Sequence, residues 1–96
     1  MSLIIGYLHP FSNGMCTYRN GDVGWYVNGI LHREDGPAFI TIEETKFWYI
    51  NNQRHRIDGP AVEYADGTKM WYINGEQIDC KTNEEFLRIV KLRAFW

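Results

Sequence analysis

Hydrophobic and polar residues alternate over short stretches of this chain, most clearly in AVEYADGTKMWYING at residues 61–75. Alternation with a period of two is typical of β-strands, because successive side chains of a strand point to opposite faces of the sheet. Asp66-Gly67 separates two such runs, and Gly tolerates the positive φ that a tight two-residue hairpin turn needs. The pattern predicts an antiparallel hairpin centred on this dipeptide.

The predicted turn decides which side chains share a face of the hairpin. Counting outward from Asp66-Gly67 sets Val62 against Trp71, so these two residues lie on one face, which we call the Trp face. Met70 and Tyr72 lie on the opposite face, which we call the Tyr face. We expect the Trp face to be buried. The Tyr face is less apolar but not polar, and it needs a cover or a partner.

The hairpin belongs to a repeat with a period of 23 residues. A Trp-Tyr pair begins at Trp25, Trp48 and Trp71, and one residue after each pair comes Asn-Gly or, in the middle copy, Asn-Asn. LHREDGPA at residues 31–38 returns as RHRIDGPA at residues 54–61. A fixed period in this range indicates a repeat protein, in which units of one design stack along the chain.

Residues 1–96 are expected to form one domain, because the repeat leaves no room for a linker. The expected units span about residues 2–24, 25–47 and 48–70, with a half unit at about 71–80. Applied to each unit, the predicted register places one residue of the first strand beside the Trp: Cys16 with Trp25, Phe39 with Trp48, and Val62 with Trp71.

The C-terminal stretch TNEEFLRIVKLRAFW, residues 82–96, changes to a helical period. Thr82 and Glu85 match a capping box, and acidic residues at the start with basic residues near the end suit the helix dipole. We expect one amphipathic helix at about residues 83–94, which closes the stack or lies across either sheet face. The predicted fold is mainly β: an antiparallel meander or short solenoid of 23-residue hairpin repeats, capped by this helix.

Composition narrows the class of protein. The chain is 45% hydrophobic and 16% aromatic, which favours a compact fold over a disordered chain. Its 10 Lys and Arg against 12 Asp and Glu give a net charge of -2, which disfavours nucleic acid as a partner. Neither a membrane span nor a signal peptide is evident, so we expect a cytoplasmic protein. Cys16 and Cys80 fit no metal-binding or CxxC spacing, and we expect both to be thiols.

With the units aligned, about residues 13–79 resemble the MORN family, whose units are β-hairpins with connecting loops. The resemblance lies in VEYADGTKMWYING and the preceding NNQRHRIDGPA. The pattern WYxNGxxHRxDGPA is similar to a repeat variant of bacterial and bacteriophage proteins, and EFLRIVKLRAFW is similar to the tail of short phage members. The resemblance implies a rigid scaffold for protein contacts. For a viral gene it implies a protein of the host cytoplasm that inhibits a host factor, including anti-defence roles of the anti-CRISPR type.

The three histidines, His9, His32 and His55, occupy one position of the repeat. Neutral imidazole is a common metal ligand. Stacked hairpins two strand spacings apart would nevertheless separate successive imidazoles by about 10 Å, which is too far for them to share one ion. We therefore expect each His to cap its own loop with a hydrogen bond, and we expect no metal and no other cofactor.

Arg33 with Asp35, and Arg56 with Asp58, allow two hypotheses. In the first, each Asp accepts backbone N–H bonds in its Asp-Gly-Pro turn and pairs with the Arg, which is a structural role. In the second, Arg33 and Arg56 contact a small anionic ligand or nucleotide between hairpins or at a dimer interface. Catalysis normally uses a single asymmetric set of titratable groups, whereas these sets are repeated. We expect no catalytic residues and no enzymatic activity.

The Tyr face offers a surface for binding. Tyr26, Tyr49 and Tyr72 are one repeat apart, with Phe47 and Met70 nearby. Aromatic rings anchor many protein interfaces, so we expect these five residues to bind another protein unless the helix covers them. An unpaired N-terminal strand edge leaves a homo-oligomer open as well. The function predicted first is a non-catalytic protein–protein interaction module.

Overall fold

The computed structural model describes residues 13–93; His9 and residue 94, the expected end of the helix, lie outside this range. The strands and the helix are β1 (Gly14–Thr17), β2 (Val23–Val27), β3 (Ile30–Leu31), β4 (Phe39–Ile40), β5 (Lys46–Phe47), β6 (Tyr49–Ile50), β7 (Gln53–Arg54), β8 (Val62–Glu63), β9 (Lys69–Ile73), β10 (Glu76–Ile78) and α1 (Asn83–Arg93). The main sheet has the order β1-β2-β4-β5-β8-β9-β10, with β3 beside β2, and β6 pairs with β7. All pairings among these strands are antiparallel. The prediction of a mainly β antiparallel meander with one C-terminal helix is confirmed.

The hairpin of the third unit closes with a three-residue loop rather than with the predicted two-residue turn. The Tyr64 N–H donates to the Thr68 carbonyl oxygen at 2.9 Å, and Gly67, the last loop residue, has a φ of 94°. Val62 consequently pairs with Met70 and not with the residue after it. The predicted register is wrong by one residue.

This shift moves the first strand of each hairpin to the other face, because side chains alternate along a strand. Val62 lies on the Tyr face beside Met70, and Phe39 lies there beside Phe47. Cys16 follows them by its pairing between β1 and β2. The prediction that grouped these three first-strand residues with the tryptophans is therefore wrong.

Two kinds of turn alternate along the chain. The three-residue loops each end on a residue with positive φ: Gly21 at 100°, Glu44 at 70° and Gly67 at 94°. The two-residue turns lie instead at the Asn-Gly and Asn-Asn pairs, where both residues have positive φ as a type I′ turn requires. These turns connect β2 to β3, β6 to β7 and β9 to β10.

The central strand of a unit takes part in two ladders. The first half of β2 pairs with β4 of the next hairpin, whereas its second half pairs with β3. Beyond β3, the Arg33 N–H donates to the Tyr49 carbonyl oxygen at 3.1 Å, and the Asn52 N–H donates to that of Leu31 at 2.8 Å. The end of one unit is thereby bonded to the two-residue turn of the next. Equivalent bonds join Arg56 to Tyr72 and Gly75 to Arg54.

The helix α1 packs on the Trp face of the last unit, which settles a point that the sequence left open. Phe86 is completely buried, and its ring centroid lies 6.3 Å from that of Trp71. Ile78 completes this cluster. The Trp71 indole N–H also donates to Asn83 Oδ1 at 3.1 Å, so the first helical residue is tied to the same side chain.

The start of α1 carries a modified form of the predicted capping box. The Glu85 N–H donates to Thr82 Oγ1 at 3.1 Å, as the sequence predicts. The Glu85 carboxylate, however, accepts from the Lys81 N–H at 2.7 Å and not from the N–H of Thr82. The two bonds fix the chain at its entry into the helix, one residue earlier than a standard capping box would.

A second cluster lies at the same end of the sheet and includes Val62, Met70 and Tyr72 of the Tyr face. Its buried members are Ala61, Val62 and Tyr72, and Phe47, Trp48 and Met70 pack against them. Tyr72 is only 8% exposed. Both faces of the last unit are therefore covered, one by the helix and the other by side chains of the sheet itself.

Because the third residue of each three-residue loop has a positive φ, two substitutions at this position should change the free energy of unfolding in opposite directions. Gly67→Ala should destabilise the protein by about 1–2 kcal/mol, because an L-residue is strained at positive φ. The added methyl group would meet no atom within 4 Å, so the effect is conformational and not steric. Glu44→Gly should stabilise it by less, under about 1 kcal/mol, because Gly also increases the entropy of the unfolded chain. Urea unfolding measures both, and effects of the same sign would contradict the loop assignment.

Removing the Phe86 ring tests how strongly the helix holds the end of the sheet. Phe86→Ala should lower the free energy of unfolding by about 3–5 kcal/mol, because it leaves a cavity against Trp71. Leu87→Ala is the matched control on the same helix turn, since Leu87 is 43% exposed, and it should cost under about 1 kcal/mol. Equal losses in urea unfolding would show that α1 does not pack as described.

Candidate functional site

The segments that connect successive hairpins, residues 32–37 and 55–60, are held by the same contacts, and we call them the joints. His32 Nδ1 accepts a hydrogen bond from the Asn51 N–H at 3.0 Å, and His55 Nδ1 accepts one from the Asn74 N–H at 2.9 Å. Each imidazole thus satisfies the first N–H of the following two-residue turn. His32 and His55 cap a turn, as expected, but the turn belongs to the next unit.

The first two-residue turn uses a different acceptor for the equivalent donor. The Asn28 N–H donates to Asn13 Oδ1 at 2.8 Å. An amide oxygen therefore serves at this turn in the way that an imidazole nitrogen serves at the other two. Asn13, His32 and His55 therefore share a hydrogen bond to the first N–H of a two-residue turn, and this bond does not require an imidazole ring.

The arginines of the joints lie flat on the tryptophans. The Arg33 guanidinium lies 4.0 Å from the Trp25 ring centroid, while its Nε donates to Asp35 at 3.0 Å and its Nη1 donates to the Pro37 carbonyl oxygen at 3.1 Å. Stacking and hydrogen bonding together suit the planar guanidinium. The predicted Arg–Asp pair is present, and the bonds to the Pro carbonyl and the Trp ring are additional. Arg56 repeats the arrangement with Trp48, Asp58 and Pro60.

The glycine inside each joint leaves room for the arginine, which passes close to the backbone. A Cβ added at Gly59 would lie 2.8 Å from the Arg56 guanidinium carbon, and one at Gly36 would lie 3.0 Å from that of Arg33. The Asp-Gly-Pro sequence therefore serves one geometry. The Asp holds the guanidinium, the Gly leaves room for it, and the Pro carbonyl accepts from it.

A groove of about 740 Å³ runs between the two joints. Both Arg33 and Arg56 line it, but their side chains are only 26% and 25% exposed and already donate to carboxylates. The exposed charges on its rim are the carboxylates of Glu34, Asp35 and Asp58, at 81%, 87% and 80%. The groove therefore presents negative charge to solvent, which does not favour Arg33 and Arg56 as contacts for an anion.

The thiols are held in their neutral form. Burial raises the pKa of Cys16. Burial, followed by the carboxylates of Glu85 and Asp79, raises the pKa of Cys80, so the helix dipole does not activate this thiol. Within residues 13–93, His, Cys, Asp and Glu side chains form no group of three or more that could hold a metal ion.

The face of the sheet opposite α1 carries a continuous line of four half-buried rings, Tyr18, Phe39, Phe47 and Tyr49, which we call the aromatic row. Successive ring centroids are 6.0, 6.3 and 6.3 Å apart. Tyr26 joins this line through a hydrogen bond between its hydroxyl and that of Tyr18. Burial, followed by this hydrogen bond, raises the pKa of the Tyr26 hydroxyl above its ordinary value.

The predicted binding residues are distributed over this face unequally. Tyr26 and Tyr49 are half-buried, whereas Tyr72 belongs to the buried cluster that Phe47 and Met70 pack against. The three tyrosines consequently do not form one exposed line. Tyr18 and Phe39 were not predicted, because the two-residue turn placed both on the Trp face.

Arg54 lies at the inner end of the aromatic row. Its guanidinium carbon is 5.7 Å from the Phe47 ring centroid and 5.2 Å from that of Tyr72, and its Nη1 donates to the Tyr72 hydroxyl at 3.4 Å. Partial burial alone would lower the pKa of this guanidinium, but the Tyr49 and Tyr72 hydroxyls outweigh burial, and the pKa lies above its ordinary value. A permanent positive charge therefore lies among these rings.

The fold and the two surfaces define the class of molecule as an antiparallel β-meander with a C-terminal helix. No protein-family model, curated protein or solved structure matches the chain. The resemblance to MORN repeats stays a prediction from the sequence motifs. Between residues 13 and 93, no helix has the length and apolar character needed to cross a membrane.

The hydrogen bond from each joint to the next turn predicts how His55 can be replaced. His55→Ala should lower the free energy of unfolding by about 1–2 kcal/mol, because the Asn74 N–H loses its acceptor. His55→Asn should retain most of the stability, since its amide oxygen is as far from the main chain as imidazole Nδ1. Urea unfolding and amide exchange at Asn74 measure the difference. An Asn variant as unstable as the Ala variant would show that the ring packs and does not cap.

Proposed function

We propose that this chain is a non-catalytic protein–protein interaction module that binds its partner through the aromatic row. The observation that supports this proposal is that four rings in mutual contact stay half-exposed on the face that α1 leaves uncovered. Aromatic side chains are enriched in interfaces because they provide a large contact area and have few torsions to order.

The joints favour a scaffold that binds without rearranging. Each joint is fixed by a His bond to the next turn, an Arg–Asp pair and an Arg stacked on a Trp. A surface that is already ordered loses little side-chain and loop entropy on association, which leaves more of the contact energy as affinity. Repeated charges that serve these contacts are not free for catalysis, which also favours a binding protein over an enzyme.

The shape of the molecule suits a broad interface. Its extents are 46 × 30 × 18 Å, so the two wide faces of the flat sheet dominate its surface. A standard protein interface takes about 800 Å² from each partner, which is smaller than one such face. We extend the proposal through the bacteriophage resemblance: the partner is a host protein, including a component of host defence, whose activity the bound module inhibits.

Sequestration of a small anionic ligand or a nucleotide has less support. Its proposed contacts, Arg33 and Arg56, already donate to carboxylates and to Pro carbonyl oxygens in the joints. Carboxylates stand exposed at the rim of the same groove. The joints therefore favour a structural role for both arginines over anion binding.

The proposal predicts that binding depends on the Tyr49 ring and not on the joint surface. Tyr49→Ala should weaken binding by about tenfold or more, as loss of an interface hot spot does. Ile57→Ala is the control, because Ile57 is 57% exposed in the groove between the joints. The partner is first captured from a host lysate by the wild-type chain, and its affinity for each purified variant is then titrated.

Two further variants separate loss of contact from loss of fold. Tyr49→Phe keeps the ring and should bind nearly as well as the wild type, and Tyr18→Ala removes a ring at the other end of the row. Circular dichroism verifies that each variant is folded. The proposal would be overturned if the partner bound Tyr49→Ala and Tyr18→Ala as well as it binds the wild type, or if only Ile57→Ala lost binding. The absence of any specific partner in the lysate would overturn it too.

A further inference from the structure

Arg54 departs from the repeat at a position where the other units carry no charge. The equivalent residues, 23 positions away, are Leu31 and Gln77. The rings and hydroxyls around Arg54 favour its charge, but its buried Nε has no acceptor, and a buried donor without an acceptor costs free energy. Because the repeat accepts an uncharged residue here, the architecture of the unit does not require the arginine.

The surroundings of Arg54 satisfy its guanidinium only in part. The Tyr72 hydroxyl accepts from Nη1 at a long 3.4 Å, the Tyr49 hydroxyl contributes to the raised pKa of the guanidinium, and the buried Nε has no acceptor. Arg33 and Arg56, in contrast, have carboxylates at 3.0 and 2.9 Å. Among residues 13–93, no carboxylate lies within 4.0 Å of the Arg54 nitrogens.

We infer that the partner presents a carboxylate, from an Asp or Glu within an apolar segment, to Arg54 at the inner end of the aromatic row. This inference rests on the proposed function and specifies its chemistry. The rings of Phe47 and Tyr49 would contact the apolar residues of the segment, while the carboxylate would complete the charge that no described side chain balances. An Arg–carboxylate pair shielded by rings is stronger than one in water.

The opposite surface makes this recognition directional. The groove between the joints exposes the carboxylates of Asp35 and Asp58, which repel an acidic segment. Arg54 on the Tyr face attracts the same segment. An acidic, apolar partner is thus favoured on one face and disfavoured on the other, even though the net charge of the chain is -2.

The experiment uses the full chain and a displayed library of random peptides as the probe. Peptides selected on the wild-type chain are synthesised, each with a twin in which Asp and Glu are replaced by Asn and Gln. Selected peptides should carry a carboxylate beside apolar residues, and the wild type should prefer each acidic peptide to its twin by roughly 10- to 100-fold. Calorimetric titration measures this preference.

The decisive variant is Arg54→Leu, which copies the residue of the first unit and is therefore expected to fold. It should bind the acidic peptide and its twin with nearly equal affinity. The preference for the acidic peptide comes from the interaction between the Arg54 guanidinium and the peptide carboxylate, so it is lost when either of these two groups is removed. Arg88→Leu is the control for general charge, since Arg88 is exposed on α1 and makes no ion pair among the described residues. It should leave the preference unchanged.

The outcomes distinguish this inference from the proposed function. Peptides that need Tyr49 but contain no acidic residue would overturn the carboxylate and leave the interaction surface in place. A preference retained in Arg54→Leu, or full competition by millimolar inorganic phosphate, would also overturn it, the latter in favour of a general anion site. A library that yields no ligand, or only ligands indifferent to Tyr49→Ala, would contradict the interaction surface itself.

Discussion

The structure depends on the hydrogen bonds that the backbone N–H and carbonyl groups of Trp25 and Trp48 make to the chain on either side of a joint. The Trp25 N–H donates to the Ala38 carbonyl oxygen at 2.7 Å, and its own carbonyl accepts from the His32 N–H at 3.0 Å. Trp25 therefore bonds to the first residue of a joint and to the residue that follows the joint, and Trp48 does the same with His55 and Ala61. The joint has to close over the indole, which places its arginine on the ring. Stacking of arginine on tryptophan is thus a consequence of backbone pairing, and it covers an aromatic surface that would otherwise face solvent.

The end of the sheet follows from the same constraint with different residues. At the third tryptophan, Trp71, the positions of His and Arg are taken by Ile78 and Asp79. Ile78 is buried there, and Phe86 of the helix packs against the indole, which in the other units contacts a guanidinium. An apolar cover replaces a polar one where no further hairpin follows. The helix is therefore directed to the Trp face of one unit only, and it leaves the aromatic row uncovered.

Much of this architecture could be predicted from the sequence, and the main error has a single physical cause. The strands, the capped helix and the Arg–Asp pairs follow from local patterns. Asp66-Gly67, however, fits a two-residue turn as well as it fits the end of a three-residue loop, because both need positive φ at Gly. Two features of the sequence favoured the three-residue loop. The equivalent position of the middle unit is Glu44 and not a glycine, and the Asn-Gly pairs provide two-residue turns elsewhere in the chain. A slip of one residue moves the first strand to the other face, which is why Tyr18 and Phe39 were missed and why Val62 was not expected to pack against Tyr72.

Function is best sought where the units differ. Contacts that recur, such as those of His32 and His55 or of Arg33 and Arg56, are explained by the fold, because every joint needs them. A residue that the fold does not need and that leaves a buried donor without an acceptor requires another explanation. Arg54 is such a residue, since Leu31 occupies its place in another unit without a charge. Repetition builds a rigid surface, and recognition requires that this surface be asymmetric. One charge on one face provides that asymmetry, because it gives a partner a single orientation on an otherwise periodic sheet.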